Sequence, residues 1–83
     1  MKCPVCGSNT FDDDDYEYEI CEECFWEYDV LQVNNPDYSG GANHHSLYEY
    51  RNIYQKLKDA NPWFSCKNKS DRELMIRLDC GIE

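Results

Sequence analysis

Basic residues are scarce in this sequence, with eight Lys and Arg against seventeen Asp and Glu in 83 residues and a formal net charge of −9. The scarcity is greatest in residues 1–40, where Lys2 alone faces eleven acids, whereas residues 41–83 hold seven Lys and Arg against six. Phosphate backbones would be repelled by the N-terminal half. Long apolar runs are also missing: no stretch approaches the roughly 20 residues that cross a bilayer. Met1-Lys2 leads straight into Cys3-Pro4-Val5-Cys6, without the apolar segment that follows a basic start in a secretory signal. The sequence therefore predicts a chain with no membrane contact, kept in the cytoplasm.

A chain this short has little room for a core. Ordering costs about 1.5 kcal/mol per residue in conformational entropy, and small domains commonly add disulfides, a metal or a partner. Six cysteines point to one of the first two. In a reducing compartment, paired cysteines more often bind metal or do redox chemistry than form structural disulfides. Cys3-x-x-Cys6 and Cys21-x-x-Cys24 are separated by fourteen residues, close to the spacing at which two short turns bring four sulfurs into a tetrahedron. Gly7 suits the tight turn after Cys6, and Pro4 fixes its start. Cys3, Cys6, Cys21 and Cys24 are thus the expected ligands of one zinc ion per chain, although the same cage would also accept iron. Four thiolates leave no open position for water or substrate, so the ion is expected to be structural.

The remaining chemistry-bearing residues form no comparable pattern. Cys66 and Cys80 lack a C-x-x-C partner and read as free thiols in or near the core. His44 and His45 have no spacing matched to a cysteine and read as loop residues. A redox role for Cys3-Pro4-Val5-Cys6 would need a helix N-terminus to lower a thiol pKa, but no helical pattern follows it.

The expected fold class is a small metal-stabilised α+β domain, in which a zinc-ribbon-like N-terminal β hairpin module packs against one main C-terminal helix and a short tail helix. Residues 1–29 form the module. Within it Tyr16, Tyr18 and Ile20 alternate with Glu17 and Glu19 at the period of a strand, and Asp12 to Asp15 form a solvated tip. Residues 30–46 are rich in Gly, Asn and Pro and read as a loop. Ser46 and Glu49 have capping-box spacing and predict a helix over 47–58, with Leu47, Tyr50, Ile53, Tyr54 and Leu57 on one face and Tyr48 off it. In the tail, residues 59–83, Ser70 and Glu73 repeat that spacing and predict a helix from Asp71 to Asp79, ended by Gly81.

Several ordered blocks are more specific than any cysteine pair: Cys3-Pro4-Val5-Cys6-Gly7, then Tyr18-Glu19-Ile20-Cys21-Glu22-Glu23-Cys24-Phe25-Trp26-Glu27, then Asn35-Pro36-Asp37-Tyr38-Ser39-Gly40-Gly41-Ala42-Asn43, then Ser46-Leu47. From Cys3 to about Lys58 the chain resembles the bacterial cysteine-rich CPCC family, and the resemblance implies a small zinc-binding protein of uncharacterised role. Val5 departs from the family's name-giving motif, standing where it has a third-position cysteine.

The charge split points to a non-enzymatic acidic module that binds a basic protein surface. Asp12, Asp13, Asp14, Asp15, Tyr16, Tyr38 and Tyr48 are the candidate contact residues, and the role would be regulatory or toxin-neutralising. The competing readings are a nucleic-acid-associated zinc ribbon using Lys56, Lys58, Lys67, Lys69 and Arg72 near Trp63 and Phe64, which the net charge disfavours, and a C-x-x-C redox protein.

Overall fold

Three helices carry the described part of the chain, α1 (Val30–Asn34), α2 (Leu47–Ala60) and α3 (Lys69–Asp79), in a computed structural model that describes residues 1–14 and 16–79. The start of α2 follows from local chemistry. The Ser46 side chain accepts from Glu49 N at 3.2 Å, and the Glu49 carboxylate accepts from Ser46 N at 3.0 Å, so two free helix-end donors are satisfied reciprocally. The helix runs past the expected Lys58 to Ala60 and closes where Asn61 N donates to Leu57 O. Leu47, Tyr50 and Tyr54 are buried, with Ile53 and Leu57 packed against the core. The apolar stripe is therefore core, and Tyr48 is exposed.

The tail helix begins two residues before the expected Asp71, at Lys69, because a different residue caps it. Asn68 Oδ1 accepts from Ser70 N and Asp71 N, which places Ser70 inside the helix and replaces the Ser70–Glu73 cap read from the sequence. Met75 is fully buried on α3, whereas Leu74 is exposed. The expected stop at Gly81 lies outside the described residues, as does Cys80.

The loop expected over residues 30–46 contains α1. Asp29 Oδ1 caps that helix by accepting from Leu31 N, and Asp29 Oδ2 accepts from Ala42 N. Gln32, fully buried, donates through Nε2 to the carbonyls of Tyr38, Asn43 and His45 and accepts from Asn43 N through Oε1. One side-chain amide thus satisfies backbone groups that an irregular segment would otherwise leave unpaired.

The expected β hairpin is not formed, and the described residues contain no strand beyond an isolated antiparallel bridge between Ile20 and Glu27. Tyr18 adopts φ 62°, a left-handed conformation that interrupts the alternation of residues 16–20. Backbone pairing instead crosses the second cysteine turn: Tyr18 N donates to Tyr28 O, Tyr28 N to Glu19 O, and Cys21 N to Trp26 O. The span before Cys21 is irregular and is held by the tyrosines, with Phe11 and Tyr16 edge-on to Tyr28 at 5.5 and 4.9 Å.

The core sits between the cysteine turns and the two longer helices. Trp26 packs edge-on to Tyr50 at 5.1 Å, and Tyr54 packs on Phe64 at 6.0 Å. Trp26 is fully buried, and its Nε1 has no hydrogen-bond partner among the described residues.

Candidate metal centre

Two turns of the same form present the four cysteines. In the first, Gly7 N donates to Cys3 O at 2.9 Å; in the second, Phe25 N donates to Cys21 O at 2.8 Å. Each turn ends on a left-handed residue, Gly7 at φ 78° and Phe25 at φ 66°. Glycine takes this conformation freely, whereas a bulky residue is strained there by about 1–3 kcal/mol.

The sulfurs of the two turns interleave. Cys3 Sγ lies 3.5 Å from Cys24 Sγ, and Cys6 Sγ lies 3.6 Å from Cys21 Sγ. All four ligand atoms fall within 4.8 Å of one another. A tetrahedral site with metal–sulfur bonds of about 2.3 Å has edges of about 3.8 Å, so the cluster has the dimensions of a four-thiolate metal site. Cys3, Cys21 and Cys24 are buried and Cys6 is half-buried. Val5 N points at Cys3 Sγ at 3.4 Å, and the Thr10 hydroxyl donates to Cys21 Sγ at 3.2 Å. Such donors offset sulfur charge and orient the ligands. Four thiols this close divide their protons unequally: hydrogen bonding with Cys21 pushes the Cys24 thiol up, and hydrogen bonding with Cys24 pulls the Cys21 thiol down.

Helix α2 holds both turns. Arg51 donates from Nε and an Nη to Pro4 O in the first, at 3.1 and 2.7 Å. The Tyr50 hydroxyl donates to Cys24 O in the second at 2.7 Å, and Lys58 pairs with Glu23 at 3.6 Å. Cys66 N donates to Glu23 O, bringing the segment before α3 onto the same turn. Cys66 is buried, burial pushes its thiol up to about 12, and it is not one of the four gathered sulfurs. His45 is held instead by the end of α3, its Nε2 lying 3.0 Å from Leu78 O and its backbone N donating to Asp79.

Asp12, Asp13 and Asp14 are exposed, with Asp13 lying 2.8 Å from Met1 N, and Asp15 lies outside the described residues. Tyr16 is half-buried against Tyr28. Tyr38 and Tyr48 are exposed, and Tyr48 N donates to the carbonyl of Pro36. In the basic half, Phe64 is buried, and Lys58 is occupied by Glu23 and Phe64 O. Among the described residues, no helix is long and apolar enough to cross a membrane.

Comparison with protein families gives a match to the description "Cysteine-rich CPCC" over residues 1–69. The chain belongs to the cysteine-rich CPCC family. Comparison with curated proteins gives no match.

In this CPCC chain the name-giving third position is Val5, which is buried in the core. Cys3 and Cys6 supply the first pair without it. The two most specific blocks of the CPCC pattern meet in space. Asn43, from Ser-Gly-Gly-Ala-Asn, accepts from Glu27 N and donates to Glu27 O, in Cys-Phe-Trp-Glu, at 3.0 and 2.7 Å. The loop is thereby fastened to the residues that follow the second cysteine turn. Sequence reasoning missed the buried polar residues beneath it, Asp29 and Gln32. Their only signal was the pair Gly40-Gly41, which marks a tight approach without naming what approaches.

Proposed function

We propose that this chain is a non-catalytic module in which Cys3, Cys6, Cys21 and Cys24 hold one zinc ion as a structural staple, and that its acidic half binds a basic protein surface. The observation that carries the reading is the interleaved cluster of four sulfurs within 4.8 Å. Each C-x-x-C approaches a sulfur of the other pair, which suits a shared ion better than an isolated dithiol. A four-thiolate tetrahedron is closed to water, which favours a staple over a catalyst.

Exposed and unpaired acids support the second half of the reading. Asp12, Asp14, Glu17, Glu22 and Asp37 are exposed, and none is in an ion pair among the described residues. A surface of one sign steers a partner of the other and makes association depend on salt. A regulatory or toxin-neutralising role would use that surface.

The deciding experiment is the metal content of the purified protein, by native mass spectrometry with elemental analysis. One zinc per chain is expected, lost when Cys3 or Cys21 is replaced by Ser. Absence of metal with a disulfide between Cys3 and Cys6 would replace the staple by a redox pair. For the partner, binding to a basic protein should weaken with salt and with Asp12→Asn and Asp14→Asn. Indifference to both would remove that half.

A second reading rests on Trp63, which is 89% exposed and close in sequence to Lys67, Lys69 and Arg72. An exposed indole among cations suits stacking on single-stranded nucleic acid. Quenching of Trp63 fluorescence by oligonucleotides at low salt would favour it, and no quenching would dismiss it.

A further inference from the structure

Beside the second cysteine turn lies a cavity of about 410 Å³, within the size range of small-molecule sites. Ile20 and Phe25 give it apolar walls, and Cys66 adds a buried thiol. Glu22, Lys67 and Arg72 supply the charged groups. Two cationic side chains thus face this cavity against one carboxylate, on a chain whose net charge is −9. Among the described residues, the side chains of Lys67 and Arg72 form no ion pair, unlike Lys58, which pairs with Glu23.

Phe25 reaches this cavity from the second cysteine turn. It occupies the position in the second turn that Gly7 occupies in the first, with the same backbone hydrogen bond and a φ of 66°. Glycine would form this turn without strain. The phenylalanine instead puts a ring on the wall of the cavity.

We propose that this cavity is a binding site for a small molecule that combines one carboxylate with an apolar ring or branched chain. The carboxylate pairs with Arg72 and Lys67, where a guanidinium can engage both oxygens. The apolar body lies against Phe25 and Ile20. Cys21, which also lines the cavity, brings the sulfur cluster close, so the anion is held on the cationic side and away from the thiolates.

The test is a titration of the metal-loaded protein with phenylacetate and, separately, with uncharged phenylacetamide, followed through backbone amide shifts by NMR. Saturable shifts at Phe25, Cys66 and Arg72 are expected with phenylacetate, together with affinity about tenfold above that for the amide, the size of one charge-assisted hydrogen bond. Arg72→Gln and Lys67→Gln, each checked for full metal content, should lower the affinity for phenylacetate and leave that for the amide unchanged. Equal binding of the two compounds, or shifts that do not saturate at millimolar concentration, would overturn the proposal. So would phenylacetate affinity unchanged in both variants. If Lys67 and Arg72 only offset the charge of the sulfur cluster, phenylacetate will not bind and the variants will release metal faster, which also refutes it.

Discussion

Gly41 owes its place to the absence of a side chain. A Cβ there would lie 2.5 Å from Asp29 Oδ2 and 2.9 Å from Gln32 Cδ, both buried and both hydrogen-bonded to the loop, so neither can move without losing partners. Gly40 differs, with a φ of 84° and open space around it, so its replacement strains backbone alone. Gly41→Ala is therefore expected to cost about 1–3 kcal/mol, as overpacking does, and Gly40→Ala about 1 kcal/mol. Denaturant unfolding of the metal-loaded variants measures both, and the reverse order would contradict the steric account. These two glycines show what was legible one residue at a time. The sequence marks a turn wherever glycine, asparagine and proline cluster, because those residues act locally. It could not mark Gln32 as an anchor, because a polar residue is buried only when backbone carbonyls from a distant loop arrive to satisfy it. Tyr18 misled for a related reason: its alternation with acids reads as a strand, but a tertiary bond to Tyr28 O accompanies its turn to φ 62°.

Helix α2 was read closely because its determinants lie within four residues of each other, in the Ser46–Glu49 box and the repeat of its apolar face. Ser46→Ala should cost about 1 kcal/mol. Its effect is tied to Glu49, whose carboxyl is held below the ordinary range by the Ser46 backbone N–H. A lowered folded pKa contributes stability that is complete above the unfolded value of about 4.3 and is lost as pH falls through the folded one. NMR titration should find Glu49 below that value, and an ordinary Glu49 pKa would mean that the box does not persist in solution. Helix α3 was read less well because Asn68 and Ser70 compete as caps, and sequence cannot rank them. The expected hairpin does not form, because the backbone pairing joins residues 18–21 to 26–28 across the second cysteine turn instead of folding the span between the two cysteine pairs on itself. Helix α2 also acts as a clamp on the metal centre. Tyr50→Phe would remove the bond to Cys24 O and leave the four sulfurs untouched. One metal per chain should remain, with stability lower by about 1–2 kcal/mol and faster metal release to a competing chelator. Unchanged release would show that the sulfurs hold the ion without help from the helix.

At the scale of the whole molecule, the cysteine spacing was the most legible feature, because a tetrahedral ion imposes a pattern that few other constraints produce. The excursion between the pairs was legible in length but not in shape, since the cysteine spacing constrains its ends alone. The consequence concerns folding. The first turn carries Val5 into the core, and the second carries Trp26, which packs on Tyr50. If the turns separate, core residues separate with them. A structural zinc site supplies apparent folding free energy of about 10–16 kcal/mol, comparable to or greater than the net stability of a typical domain, about 5–15 kcal/mol. Removing the ion should therefore unfold the chain rather than loosen one end. Circular dichroism during chelation should show α2 and α3 melting together with metal loss and recovering when zinc is returned under reducing conditions. Cys3→Ser and Cys21→Ser should resemble the chelated protein even with zinc present, because each opens one turn. Cys66→Ser should bind metal as before, since its thiol lies outside the ligand set. If native dichroism survives verified metal removal, packing between the helices and Trp26 suffices alone, and the four cysteines would need a purpose other than holding the fold.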